Sequence, residues 1–320
     1  MRLRRIKVVP LADESLGVRS MALFVETPDV RILFDAGVSL APRRYGLPPH
    51  PEEFRAVKEA RRRIIEYARR ADIVTVSHYH FDHYTPGFKS WYEWTEDDTI
   101  REIYDGKVVL LKDFKNNINF NQSKRARAFL KALEGVCEEV VVVDGRRYEV
   151  SETVIEASPP LPHGPEGSKL GFVLAFTVRC RGESLLYAPD VQGPMAEEAL
   201  RVIASVEPNV LIIGGPPAYL AGKKVKREDV ERGLRNLAEA SKLAEEVVVT
   251  HHILRSEDWR SLIEEAGVAK YYTYNQLLGV EYTGLEAYRK LLYEVDPPSQ
   301  EFLSWIERYR KGVKDEPPPL

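Results

Sequence analysis

The chain has 320 residues, 44% of them hydrophobic and 30% charged, with a mean hydropathy of −0.33. Its 46 Lys and Arg against 49 Asp and Glu leave a formal charge of −3, which argues against nucleic-acid binding through bulk charge but allows a local basic strip. No run of about eighteen apolar residues occurs, which excludes a spanning helix and any membrane partner of that kind.

The basic start, Met1 to Lys7, is followed only by Val8-Val9-Pro10, too little for the apolar region of a signal peptide. Two cysteines, Cys137 and Cys180, cannot build a disulfide framework or a cysteine zinc cage and are expected to be buried structural thiols. A reducing cytoplasm is the expected location. The chain holds only four Gln beside abundant Glu, Lys, Arg and Pro, the composition of a heat-adapted source.

Taken in chain order, Ser20 to Glu26 and Val30 to Phe34 read as strands around a turn at Thr27-Pro28-Asp29. A helix opens at Pro51-Glu52-Glu53, with Phe54, Val57, Ile64, Ile65 and Ala68 on one face. The strand Asp72 to Ser77 runs directly into a histidine cluster, and residues 86–135 read as an inserted segment. A strand-rich block covers Val140 to Tyr187, with a hairpin at Arg181-Gly182-Glu183. Two strand–helix units follow: Val210 to Ile213 before Val230 to Glu245, and Val247 to Val249 before Glu257 to Ala266, the last capped by Ser256 and Gly267. Residues 1–296 are read as one domain; 297–320 are read as a terminal helix, Ser299 to Arg310, and a loose tail. The order points to a sheet-on-sheet core covered by helices.

Of the seven histidines, three fall in Ser77-His78-Tyr79-His80-Phe81-Asp82-His83. A His-x-His-x-Asp-His pattern arises by chance on the order of once in ten thousand such chains. Imidazole and carboxylate are the donors that bind borderline metals such as zinc. His78 and His80, two apart beyond a strand end, can face one metal, and a turn can aim Asp82 and His83 at another. His163, His251 and His252 also lie at strand exits, whereas His50, in Pro-Pro-His-Pro, is expected to be an exposed loop residue.

With these residues in place, the chain resembles the metallo-β-lactamase superfamily, over roughly Met1 to Asp258. Its five motifs occur in order: Asp35 in Leu33-Phe34-Asp35-Ala36-Gly37, the histidine cluster, His163, Asp190 in Tyr187-Ala188-Pro189-Asp190, and Thr250-His251-His252. Within the superfamily it is similar to an uncharacterised, largely archaeal branch. The resemblance implies an α/β (α+β) four-layer αββα sandwich and two divalent metal ions, with zinc expected. His78, His80 and His163 would hold the first ion. Asp82, His83 and one of His251 and His252 would hold the second, and Asp190 would bridge. Asp35 would orient a ligand histidine or the loop bearing the cluster. The family places its last ligand directly after the strand, which favours His251; His252 would then stand behind it or move a proton. Asp82 would also aim the attacking water.

The implied activity is a hydrolase cleaving an ester-like bond in a small-molecule or nucleotide-like substrate. Alternatives are a phosphodiesterase or nuclease on the same scaffold, and an iron-dependent oxidoreductase. The resemblance implies that iron enzymes carry Glu at the position of His80, which favours zinc and hydrolysis here. An oligomer is compatible with all of these.

Around this centre the residues leave several readings open. Lys89, Trp91, Tyr92 and Trp94, with the stretch Lys112 to Arg127 and its Asn116, Asn117, Asn119 and Asn121, could form a nucleic-acid surface. A helical lid with packed aromatics is the preferred reading, because Glu93, Glu96, Asp97 and Asp98 would repel phosphates. Arg255 could contact a substrate anion, with Tyr219 lining the cleft, or pair with Glu257 or Asp258 at the surface. Gly214-Gly215-Pro216-Pro217 reads as a tight turn beside the cleft. Tyr271-Tyr272-Thr273-Tyr274 reads as edge-strand or interface packing.

Overall fold

Strands whose residues are apolar on both sides need cover on both sides, and that requirement sets the layers. The computed structural model describes residues 3–320. Its first sheet holds, in chain order, β1 (Lys7–Pro10), β2 (Leu23–Glu26), β3 (Arg31–Phe34), β4 (Ile73–Val76), β5 (Val108–Leu111) and β6 (Glu139–Val142). The first three are antiparallel and β3 to β6 parallel. There follow β7 (Arg147–Val150), β8 (Thr153–Ala157), the short pair β9 (Leu161–Pro162) and β10 (Phe172–Val173), then β11 (Phe176–Cys180), β12 (Glu183–Ala188), β13 (Val210–Gly214) and β14 (Glu246–Thr250). The second sheet is ordered β14-β13-β12-β11-β8-β7, parallel from β12 to β14 and antiparallel elsewhere.

Period-two alternation divides the core. Leu23, Val25, Ile32 and Phe34 meet Phe176, Leu185, Tyr187, Val210 and Ile212 between the sheets. Phe24, Leu33, Val74 and Val76 face outward under α1 (Pro51–Ala68), α2 (Thr99–Tyr104) and α3 (Phe120–Leu133). On the far side, Leu186, Leu211, Ile213, Val247 and Val249 pack under α4 (Glu197–Val206), α5 (Arg227–Ser241) and α6 (Trp259–Glu265). The chain ends through α7 (Tyr274–Leu278), α8 (Arg289–Val295) and α9 (Gln300–Arg310), the last returning to α1 with Phe302 and Trp305 against Phe54. This is the four-layer αββα sandwich. Among the described residues, no helix is long and apolar enough to cross a membrane.

Several expectations change. Residues 86–135 are not an insertion: they supply α2, β5 and α3, and β5 lies inside the first sheet between β4 and β6. Their aromatics pack. Trp91 is buried against Trp94, and Tyr92 lies between Phe54 and Tyr309. Lys112 is buried and paired with Asp144 rather than offered to phosphates. The tail is not loose, because the indoles of Trp91 and Trp305 donate to the carbonyls of Lys314 and Glu316. Cys180 is buried but Cys137 only half so; both are free. Helix α6 begins at Trp259 after Asp258, so Ser256 does not cap it.

His50 is buried, not exposed. Its Nδ1 accepts from the Glu52 amide, its own amide donates to Glu53, and Nε2 meets the Asp296 carbonyl at 2.7 Å. It thus caps α1. Glu53 in turn takes two hydrogen bonds from the buried Arg289, each 2.7 Å, tying α8 to α1.

The two loops that carry Asp35 and the histidine cluster touch at Gly37. A Cβ there would lie 2.2 Å from the Tyr84 nitrogen and 2.3 Å from that of His83. Gly37→Ala is therefore expected to push the cluster loop away and lower the thermal midpoint by about 5 °C or more, at a cost of roughly 2–3 kcal/mol. Calorimetry checks this; an unchanged midpoint would show that the loops do not meet here.

Candidate metal centre

The site lies where strands of both sheets end. Asp35 follows β3, the histidine cluster follows β4, His163 follows β9, Asp190 lies two residues past β12, and His251 follows β14. Three of these exits turn through left-handed backbone: Asp35 at φ 46°, Asp190 at φ 48° and His251 at φ 65°. Such conformations cost L-residues roughly 1–2 kcal/mol and concentrate at functional sites. Here they turn three side chains off the sheet edge toward one cluster.

Asp190 is its centre. His163, His78 and His83 place Nε2 at 2.8, 3.1 and 3.4 Å from Oδ2, while His251 and His252 place theirs at 3.0 and 3.2 Å from Oδ1. His80 presents Nδ1, 3.0 Å from His78 Nε2. Asp82 Oδ2 is 3.8 Å from His251 Nε2. The donor atoms fall into four overlapping groups: His78-His80-His163-Asp190, Asp82-His83-His251, Asp190-His251-His252, and Asp35-His78-His83.

Four of the rings are braced from behind through Nδ1, which turns Nε2 inward. Asp35 Oδ2 accepts from His83 Nδ1 at 2.8 Å. Ser77 donates its hydroxyl to Asp35 at 2.5 Å, so its oxygen is free to accept from His78 Nδ1 at 3.0 Å. The Gln192 amide meets His163 Nδ1 at 3.3 Å, and Glu14 meets His251 Nδ1 at 3.2 Å. Asp35 also accepts from the Ser77 amide and the Tyr187 hydroxyl, at 2.8 and 3.0 Å. It therefore sets the cluster's position without lining the pocket. Glu14, Ser77, Gln192 and Tyr187 were not singled out from the sequence. Glu14 carried no local signal, while Ser77 adjoined the cluster.

Charge follows from burial. His78 is pushed down to about 4, first by desolvation and then by His83. Desolvation pulls on His251 too, but Glu14 and Asp190 outweigh it and raise it to about 8. Asp190 would be raised by burial, yet the surrounding histidines hold it well below the usual carboxylate range. The centre is thus an anionic carboxylate in a shell of imidazoles.

Arg255 does not pair with Glu257 or Asp258 at the surface. It is buried, donates from Nε to Glu14 at 2.7 Å, lies with Nη2 at 3.2 Å from His251 Nε2, and is 3.5 Å from Asp82. Its Nη1 reaches the Tyr219 hydroxyl at 3.4 Å, and both residues line the cleft. Tyr272 bridges to Val248 beside β14, and Tyr274 is buried, so that aromatic run packs.

The beta-lactamase superfamily domain model matches residues 18–231, and the chain belongs to that superfamily, most of whose members are metal-dependent hydrolases. It is 47% identical over 300 residues to a UPF0282 protein of Pyrobaculum aerophilum, covering 91% of this chain and 96% of the relative. A UPF0282 protein of Methanopyrus kandleri is 43% identical over 289 residues, covering 89% and 98%. Among solved structures, Zn²⁺-bound PqqB from Methylobacterium extorquens is similar with a TM-score of 0.49 and 13% identity, covering 83% of this chain and 96% of that one.

Proposed function

We propose that this protein is a dinuclear metal-dependent hydrolase, holding zinc, that cleaves an ester-like bond. The observation that carries the reading is the Asp190 carboxylate ringed by five imidazoles. The donor set suits divalent cations: His163 Nε2, Asp190 Oδ1 and both His252 ring nitrogens are buried and form no well-directed hydrogen bond in the protein, although Nε2 of each histidine lies within 3.2 Å of Asp190. Uncompensated groups of that kind are costly unless something else takes them up. His78, His80 and His163 would hold one ion, Asp82, His83 and His251 the other, and Asp190 both. The choice of His251 over His252 rests on its brace from Glu14. Bound there, two divalent cations would supply Lewis acidity and a water acidic enough to attack near neutral pH.

The chain's own residues do the rest. Asp82, partly open to the cleft, accepts a hydrogen bond from the attacking water and aims it. Arg255 neutralises charge beside Asp82. His252, unbraced and facing the cleft, is held neutral by burial and by Arg255, so its ring N–H can donate to the departing oxygen. Accordingly, His252→Gln is expected to keep both metals and lose about 10²–10³-fold in kcat. Loss of half the metal instead would make His252 a ligand. The reading as a whole is tested by measuring metal content together with turnover of phosphodiester, lactone and thioester substrates. Metal-dependent turnover of one class is expected; no turnover in zinc-replete protein would overturn it.

A further inference from the structure

The cleft in front of the histidines is a basic trough on an acidic protein. Its volume is about 1340 Å³, above the roughly 300–1,000 Å³ of an ordinary small-molecule site, so it has room for more than a reacting ester. Arg43, Arg44, Arg125, Lys223, Lys224 and Arg310 line it, and among the described residues none of the six makes an ion pair. Arginines elsewhere on the surface commonly do, as Arg31 does with Asp72 and Arg62 with Glu59. Nor do the cleft's own carboxylates compensate them. Asp82 and Asp190 face the histidines, Glu286 takes two hydrogen bonds of 2.6 Å from Arg19, and Glu93 is buried on the Ser90 hydroxyl.

Arg125 is held on the Phe81 ring and the Tyr79 carbonyl, but Arg44 is held by two rings and stands on the side of the cleft that leads to Arg255. The Arg44 guanidinium lies 4.6 Å from the Tyr45 ring and 4.3 Å from the Tyr219 ring. Nη2 donates to the Arg255 carbonyl at 2.9 Å and to the Tyr45 hydroxyl at 3.2 Å. Nε is buried with no partner, and among the described residues Nη1 makes no hydrogen bond, which leaves Nη1 as the donor for a ligand. Tyr219 in turn meets Arg255, and Arg255 meets Asp82, so a continuous ladder of side chains leads from the metal centre outward to this cation. A stacked, pre-organised guanidinium with an unused donor is the group that recognises an oxyanion at low entropic cost.

We propose that Arg44, held between Tyr45 and Tyr219, anchors a subsite for a phosphate group of the substrate other than the bond the enzyme breaks. The inference rests on the hydrolase reading for what the neighbouring centre does, but the subsite itself is a binding site and is testable without turnover. A phosphate, not a carboxylate, answers the surroundings. Six uncompensated cations exceed what one carboxylate neutralises, and a phosphate brings up to two charges and three acceptor oxygens. The phosphate can belong to a nucleotide-sized molecule or to the next unit of a strand.

The test is calorimetric titration of metal-loaded full-length protein with adenosine 5′-monophosphate and with a six-nucleotide oligoribonucleotide. Metal content and wild-type turnover of bis-p-nitrophenyl phosphate are measured on the same samples. Arg44→Gln is expected to weaken adenosine 5′-monophosphate at least tenfold with metal content unchanged, while Arg62→Gln, on the exposed face of α1, leaves binding as it was. The double variant Lys223→Gln/Lys224→Gln should weaken it about threefold and flatten its salt dependence; this keeps the test open should Arg44→Gln fold poorly. Equal affinities for the two ligands identify a small-molecule substrate, and tenfold tighter oligonucleotide binding identifies a strand; both support the subsite. Affinity within twofold of wild type in Arg44→Gln overturns it. Arg44-dependent binding in a metal-replete chain that turns nothing over would leave the subsite standing and remove the hydrolase reading.

Discussion

Asp190→Asn is expected to lower turnover by about 10³-fold or more and to cut metal content to half or less. The substitution preserves shape but replaces one oxygen by an N–H₂ donor and removes the charge that five imidazole nitrogens face at 2.8–3.4 Å. Among the described residues no other carboxylate reaches both sides of the centre, since Asp82 lies near His251 and Asp35 behind His83. Elemental analysis and steady-state rates on the same preparation, with near-ultraviolet circular dichroism to confirm the fold, decide it. Full occupancy and full rate would mean that Asp190 is a structural carboxylate.

Asp35→Asn should act on both fold and metal. Asp35 is fully buried and accepts from the Ser77 amide, the Ser77 hydroxyl, His83 and Tyr187. An Asn there offers N–H₂ where acceptors are needed and leaves buried donors unpaired. The expected cost is about 3–5 kcal/mol, a fall of several degrees in thermal midpoint, and metal affinity weaker by about 10–100-fold through the loss of His83's brace. Calorimetry and competition with a chromogenic chelator measure the two effects. A lower midpoint with unchanged metal affinity would confine Asp35 to stability.

The residues that come together around Asp190 were legible because their chemistry is dense in the sequence. Three histidines and an aspartate within six positions have few bland explanations, and the later ones each follow an apolar strand. What stayed hidden depends on long-range contact. Arg255 has two carboxylates within three positions, yet it pairs with Glu14, 241 residues away. Glu14 itself sits in a short turn after β1, a four-residue strand too brief to register beside Ser20 to Glu26. The four residues of β5 were equally easy to overlook, so a segment that completes the first sheet read as an insertion. His50 was misjudged for a different reason. Pro-His-Pro-Glu-Glu carries proline at the first helical position and Glu at the third, a helix start, but proline on both sides suggested a loop. The left-handed turns at Asp35, Asp190 and His251 leave no trace in composition, and they are what aim the site.

The most direct test is anomalous diffraction at the zinc edge from crystals of zinc-loaded protein. Two peaks are expected, one within ligand distance of His78, His80 and His163, the other within ligand distance of Asp82, His83 and His251, with Asp190 reaching both. Crystals in which zinc is present in solution but no ion lies among these side chains would contradict the account.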